Sequence, residues 1–201
     1  MPDPAGHYFD ADPAVGSRPT TVQLDLPDRS LTLATDRGVF SGSRVDPGTK
    51  YLLLEAPAPP ASGTFVDLGC GYGPIACTLA ARSPAATVWA VDPNARAVAL
   101  CAANATALGL ANVRAVEPAA APADLAVDLL WSNPPIRIGK PALHDLLATW
   151  LDRLAPAGRA VLVVQKHLGA DSLQRWLSER GWPTERVGSR AGYRLLQVSR
   201  S

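Results

Sequence analysis

Residues 64–74 read TFVDLGCGYGP, and no other stretch limits the fold as tightly. Phe65, Val66 and Leu68 make the apolar run of a buried strand, three glycines at alternate positions make a turn, and 75–80 (IACTLA) opens a helix. Glycine has no Cβ, so such a turn can bend sharply and lie flat against a ligand. The helix start behind it offers N–H groups and a partial positive charge. Two ligand classes fit this arrangement. A dinucleotide fingerprint, G-x-G-x-x-G, needs glycine or alanine where Pro74 stands. The spacing is instead G-x-G-x-G with Asp67 two residues ahead of the first glycine, so the ligand need not carry a pyrophosphate. No lysine and Ser/Thr pair follows the turn, which excludes a P-loop. A ligand-free β–α turn is the alternative on these residues alone.

From residue 64 onward, strand and helix patterns alternate, the signature of a parallel α/β sheet. Strands are expected at 86–91, 113–117, 126–131 and 159–165, and a helix at 94–108 with Pro93 at its first position and Gly109 as its stop. Residues 140–155 give an amphipathic helix with Leu143, Leu146, Leu147, Trp150, Leu151 and Leu154 on one face. A further helix spans 169–180, stopped by Gly181, and strands near 184–188 and 193–198 form a terminal antiparallel hairpin turning around 188–192. Before the glycine turn, 22–26 and 31–35 alternate apolar and polar residues around a four-residue connection, Pro27 to Ser30, a β-hairpin signal. Residues 38–42 read as a loop, 48–55 as a short helix stopped by prolines, and 1–20 as an irregular arm whose aromatic cluster at 7–9 docks on the domain. The expectation is a doubly wound, mostly parallel seven-stranded Rossmann-like sheet: 1–62 is a decoration packed on a core at 63–201, one domain overall.

Composition narrows the setting. A chain of 201 residues buries one good core. No apolar run approaches the ~20 residues of a membrane span, and the N-terminus lacks a secretory layout. Three cysteines without C-x-x-C spacing fit a reducing cytoplasm and no structural zinc. Residues 159–201 hold eight Lys/Arg against three Asp/Glu, weak support for a polyanionic partner, although a solvated charged surface reads the same way.

In an open parallel sheet, ligands bind beyond the carboxyl ends of the strands. The second strand ends at Asp92, where a carboxylate can accept both ribose hydroxyls of a nucleoside or cap the next helix. The third ends at Glu117, the only polar group there for a base edge. The fourth ends at Ser132-Asn133-Pro134-Pro135-Ile136. Consecutive prolines remove two N–H donors and leave carbonyls to point at a ligand. The Asn133 amide oxygen and the Pro134 carbonyl together can hold the two hydrogens of an –NH₂ group, aiming its lone pair at an electrophile.

DLGCGYG (67–73), VDPNARAV (91–98) and SNPPIRIGK (132–140), in this order, resemble a class I S-adenosylmethionine-dependent methyltransferase. HYF (7–9), GVFSGSRVDPGT (38–49) and GYRLL (192–196) make the likeness narrower, to the methyltransferase small domain group that includes ribosomal RNA guanine-N2 methyltransferases. The resemblance implies S-adenosyl-L-methionine as cofactor, with Asp67, Gly69, Cys70, Gly71 and Gly73 at its methionine end. Asp92 would take the ribose, Pro93 or Asn94 would lie beside the adenine, and Asn133, Pro134, Pro135 and Ile136 would form the catalytic corner, with Asn133 also touching the cofactor. Phe40, Asp46 and Thr49 would close the pocket, and no metal is needed. The sequence departs from the group where an adenine-binding acid is usual, here Ala119, so Glu117 or a backbone group must substitute. It departs again at Ile136, where relatives often carry a stacking aromatic. The implied acceptor is a guanine amine in ribosomal RNA, gripped by Arg137 and Lys140 and the basic residues Lys166, Arg175, Arg180, Arg186, Arg190 and Arg194. A glutamine amide of a protein, a DNA or tRNA base amine, and a binding module without turnover are the alternatives. A cytoplasmic monomer or homodimer is expected.

Overall fold

The computed structural model describes residues 16–41 and 43–200. The strand β1 (Thr20–Leu26) pairs antiparallel with β2 (Arg29–Thr35), burying Val22, Leu24, Leu26, Leu31 and Leu33 and exposing the residues between. Its connection is tighter than expected. Leu26 already pairs with Arg29, so only Pro27 and Asp28 turn the chain. Arg82 grips this turn from below, donating to both Asp28 oxygens and to the Leu53 carbonyl, and holds the Asp28 carboxyl well below its usual range. A loop carrying Phe40 leads to α1 (Pro47–Glu55), which Asp46 caps by accepting from the Thr49 N–H at 3.0 Å, with Pro47 at the first position. The aromatic cluster expected at 7–9 lies outside the described residues, as does Gly42.

The sheet follows: β3 (Ser62–Leu68), α2 (Pro74–Arg82), β4 (Ala85–Val91), α3 (Ala95–Ala107), β5 (Val113–Val116), β6 (Val127–Ser132), α4 (Lys140–Leu151), β7 (Leu154–Gln165), α5 (Ala170–Glu179), β8 (Thr184–Arg190) and β9 (Tyr193–Ser199). Strands run in the order β5-β4-β3-β6-β7-β9-β8, parallel except that β9 opposes both neighbours. This is the seven-stranded doubly wound sheet the alternation predicts. Side chains alternate along each strand, so Phe65, Leu129, Trp131, Val161 and Val163 face one layer with α1, α2, α3 and the hairpin. Val66, Leu130, Leu162 and Val164 face the other, with α4 and α5. The order of strands reverses between β3 and β6, the switch point where such sheets bind ligands.

Three boundaries differ from expectation. Pro93 is not the first helical position: it precedes the cap, Asn94, which accepts from the Arg96 and Ala97 N–H groups, and the helix begins at Ala95. Leu154 starts β7 rather than ending α4, because an extended chain through Pro156 and Gly158 continues the sheet beside Val127. An alanine Cβ at Gly158 would stand 2.4 Å from the Val127 carbonyl oxygen. The last hairpin turns on Ala191 and Gly192 alone, both at positive φ, and Gly188 lies inside β8 at a bulge pressed against the Tyr51 hydroxyl.

Candidate active site

The glycine turn joins β3 to α2 at the switch point. Gly69, Gly71 and Gly73 all have positive φ (78°, 54° and 95°), which L side chains adopt only under strain. A Cβ at Gly69 or Gly71 would meet nothing within 4 Å, so both present bare backbone to open space. Gly73 is different: a Cβ there would lie 2.7 Å from Cys101 Sγ, so the third glycine serves the packing of α3 against the turn. The glycines spend their own donors within the turn. Gly69 and Cys70 N–H bond the Val91 carbonyl, Gly71 N–H bonds Asp92 Oδ2, and Gly73 N–H bonds the Cys70 carbonyl. The glycine N–H groups are therefore not free to cradle a phosphate.

Beneath the turn, Asp67 is fully buried and does not line the cleft. Its Oδ2 accepts from the Ala76 N–H at the start of α2, and its Oδ1 has no partner among the described residues. It braces the turn. Burial pushes its carboxyl up to about 8, partly offset by the Ala76 bond. The folded chain thus keeps a proton that the unfolded chain releases near 3.8, so the stability contributed is full below about pH 4 and lost as pH rises through about 8. Asp67→Asn cannot titrate and is expected to gain stability relative to wild type across that window. Urea midpoints of both proteins at pH 5 and pH 9 check this, and a pH-independent difference would refute it. Cys70 also lies off the cleft, buried, with its thiol pushed well above the usual range by its hydrogen bond with Cys101 and by burial.

Asp92 does line the cleft. Its Oδ2 holds the Gly71 N–H and its Oδ1 the Asn94 N–H, each at 2.9 Å, and burial raises its carboxyl from its ordinary value, partly offset by these two bonds. Each oxygen keeps a further lone pair for a hydroxyl. Asn94 is buried as the helix cap and donates to the Gly38 carbonyl, tying α3 to the Phe40 loop, while Pro93 is exposed. Glu117 is exposed before a 3₁₀ turn and is not among the cleft residues. It follows the end of β5 at Val116, where Pro118 turns the chain. Ala97, which sequence reasoning missed, lines the cleft instead; an alanine inside a helix carries no signal.

The acceptor corner is organised by Asn133. Its Nδ2 donates to Asp46 Oδ1 at 2.8 Å and to Thr49 Oγ1 at 3.0 Å, using both amide hydrogens. The opposite orientation would set the amide oxygen against a carboxylate, so the network assigns the amide. Its oxygen is left for the cleft. The prolines behave differently from expectation. The Pro134 carbonyl accepts from the Ile136 N–H at 2.8 Å and the Pro135 carbonyl from the Ile138 N–H, so neither is unpaired. Pro135, with φ −74° and ψ 71°, closes an inverse γ-turn. The Pro134 oxygen retains one lone pair. Ser132 anchors the corner by donating to the Leu68 carbonyl at 2.6 Å.

Two clefts meet at this corner. The first is lined by Phe40, Gly69, Gly71, Asp92, Ala97, Asn133, Pro134 and Pro135. The second is lined by Phe40, Asp46, Asn133, Pro134, Ile136, Arg137, Val163, Gln165, Leu168 and Tyr193. Phe40, Asn133 and Pro134 belong to both. Lys140 is exposed at the start of α4 and lines neither. Tyr193 and Gln165, hydrogen-bonded at 2.9 Å, were missed. The GYRLL motif at 192–196 was the available signal for Tyr193, whose ring a Cβ at Gly48 would meet at 2.7 Å. Of the basic residues, Arg194 is buried and paired with Asp171, and Arg190 pairs with Glu55, so Arg194 is removed from any RNA surface.

Residues 30–197 match the family model of the methyltransferase small domain. The chain belongs to this family. YbxB of Bacillus subtilis is 32% identical over 96% of this methyltransferase and 98% of its own length. Ribosomal RNA small subunit methyltransferase C of Shewanella halifaxensis is 33% identical over 73% of the chain, which spans 43% of that protein. The solved 16S rRNA N2 methyltransferase RsmC of Thermus thermophilus, in complex with AdoMet and guanosine, shares the fold at a TM-score of 0.79 and 23% identity over 94% of this chain and 52% of that one. The methyltransferase thus belongs to an S-adenosylmethionine-dependent family with ribosomal RNA methyltransferases among its relatives. The first cleft fits that cofactor: bare glycine backbone without free donors suits an uncharged or cationic group, and Asp92 suits a ribose. No helix among the described residues is long and apolar enough to cross a membrane, and no cluster of three or more His, Cys, Asp or Glu could hold a metal.

Proposed function

We propose that this methyltransferase methylates the exocyclic N2 amine of a guanine in ribosomal RNA, in the cytoplasm. The observation that carries the reading is the Asn133 amide, whose two hydrogens are spent on Asp46 and Thr49. An amide held that way offers an acceptor to the cleft, the requirement for holding an –NH₂ group. S-adenosylmethionine supplies an electrophilic methyl group when bound. Gly69 and Gly71 would flank its methionine end, and Asp92 its ribose. Asn133 Oδ1 and the remaining Pro134 lone pair would take the amine hydrogens and aim the nitrogen lone pair at the first cleft. Catalysis would then rest on alignment, worth several orders of magnitude when reacting atoms are held in line. Phe40 lines both clefts and would supply the flat face that Ile136 lacks; unstacked RNA bases are commonly held this way. Arg137 on the second cleft, with exposed Lys140, Lys166 and Arg175, would meet phosphates.

Labelled methyl transfer to RNA from cells lacking the gene, followed by digestion to nucleosides, tests the reading. Label is expected in N2-methylguanosine. Label confined to protein, or to another nucleoside, would overturn it.

A further inference from the structure

The second cleft holds one carboxylate oxygen, Asp46 Oδ2, to which the reading above gives no role. Asp46 accepts only through Oδ1, from the Thr49 N–H and from Asn133 Nδ2; among the described residues Oδ2 has no hydrogen-bond partner. Asp46 is half-buried and lines the same cleft as Asn133. The two side chains touch through the 2.8 Å bond, so the Asn133 amide oxygen and the free Asp46 oxygen are neighbouring acceptors in one cleft.

We infer that Asp46 reads the ring N–H beside the target amine, making the site selective for a base that presents an amine and a ring N–H side by side. The inference rests on the proposed guanine reading and deepens it. Guanine offers N2–H₂ next to N1–H, two adjacent donors for two adjacent acceptors. Adenine places a ring acceptor, N1, beside its amine, and cytosine does the same with N3. Either would set a lone pair against a carboxylate, which has only acceptors to offer. A glutamine amide places its own carbonyl oxygen beside the amine and meets the same obstacle. A site built to hydrogen-bond a donor rejects an analogue lacking it far more strongly than a hydrophobic pocket rejects a change of size.

The geometry also explains why a carboxylate stands here although a hydroxyl would cap α1 equally well. Both donors on Asp46, the Thr49 N–H and the Asn133 amide, converge on Oδ1. They lock the carboxylate's rotation and leave Oδ2 without a hydrogen bond among the described residues. The same converging donors make the test clean. In Asp46→Asn the amide oxygen must take the Oδ1 position, and the –NH₂ group then occupies the Oδ2 position. The acceptor becomes a donor without loss of the cap.

The full chain, saturated with S-adenosylhomocysteine, is titrated with guanosine and with 2-aminopurine riboside, which keeps the 2-amine but has a bare N1. Wild type is expected to prefer guanosine by about 10- to 100-fold, the range for a charge-assisted hydrogen bond. Asp46→Asn is expected to bring the two affinities within about threefold or to reverse them. The wild-type comparison needs no variant to fold. No measurable binding of guanosine, equal wild-type affinities, or a preference untouched in a folded Asp46→Asn overturns the role of Asp46. The nucleoside product formed on RNA separates the two ideas. N2-methylguanosine without discrimination at N1 leaves the guanine reading standing and removes Asp46 from it, whereas methylation of another base removes both.

Discussion

Asn133→Ala is expected to slow single-turnover methyl transfer by about 10²- to 10³-fold, the range for losing one group that positions reacting atoms. Affinity for S-adenosylhomocysteine is expected to stay within a few-fold of wild type. The asymmetry follows from where the side chain spends its bonds. Its hydrogens go to Asp46 and Thr49 on the acceptor side, while the glycine turn and Asp92 are tied to one another and to Val91 without its help. The variant loses two hydrogen bonds that join the corner to α1, so a stability loss of about 1–2 kcal/mol accompanies the change. Asn133→Asp makes the complementary point. It keeps the size but faces the Asp46 carboxylate with a second one across 2.8 Å, an arrangement in which both cannot carry charge. Its transfer rate is expected to fall at least as far. Calorimetry and rapid quench on the same preparations check both variants. A fall in cofactor affinity that matches the fall in rate would make Asn133 a cofactor-binding group rather than one that orients the acceptor.

Gly73→Ala is expected to be the most destabilising single-methyl change in the turn. Its φ of 95° costs an L residue about 1–2 kcal/mol, and a Cβ 2.7 Å from Cys101 Sγ adds about 1–3 kcal/mol of overpacking. The Cys101 Cα, 3.4 Å away, limits how far α3 can yield. A total of about 3 kcal/mol corresponds to a Tm lower by roughly 6–12 °C at this chain length. Cys101→Ala in the same chain removes the sulfur and is expected to restore the overpacking part but not the φ part. Gly71→Ala is the contrast. Its φ is 54° and its Cβ would meet nothing within 4 Å, so it is expected to cost only about 1 kcal/mol of strain. Its methyl group would stand in the first cleft, and weakened cofactor binding should be its main effect. Thermal melts and cofactor titrations of the three variants check the pair. Equal melting temperatures for Gly71→Ala and Gly73→Ala would contradict the division of labour.

Much of this architecture is legible along the chain because its causes are local. A run such as Phe65 to Leu68 followed by alternate glycines admits few backbones, and Gly109 marks a helix end through its own dihedral preference. The two segments that meet at the clefts, 67–73 and 132–136, are recognisable for the same reason: bare glycines and paired prolines restrict their own backbone. Local rules also failed where a neighbour outbid them. Leu154 fits a helical face by period, yet the edge left open by Val127 draws it into β7. Glu117 is the right residue type in the right place after β5, yet its chain turns it to solvent.

Tertiary structure alone decided which groups remain available for chemistry. Asn133 lies 87 positions from Asp46 and 84 from Thr49, and nothing along the chain says that its amide hydrogens are spent there. Three glycines look alike in sequence, but only the approach of Cys101 separates the one that packs from the two that face the cleft. Arg194 reads as one more surface cation until β9 places it beside Asp171. A backbone bend is set within a few residues, whereas the partner of a polar atom is set by whichever element the fold brings against it. The chain alone therefore marks where the site lies, and the fold decides which atoms face into it.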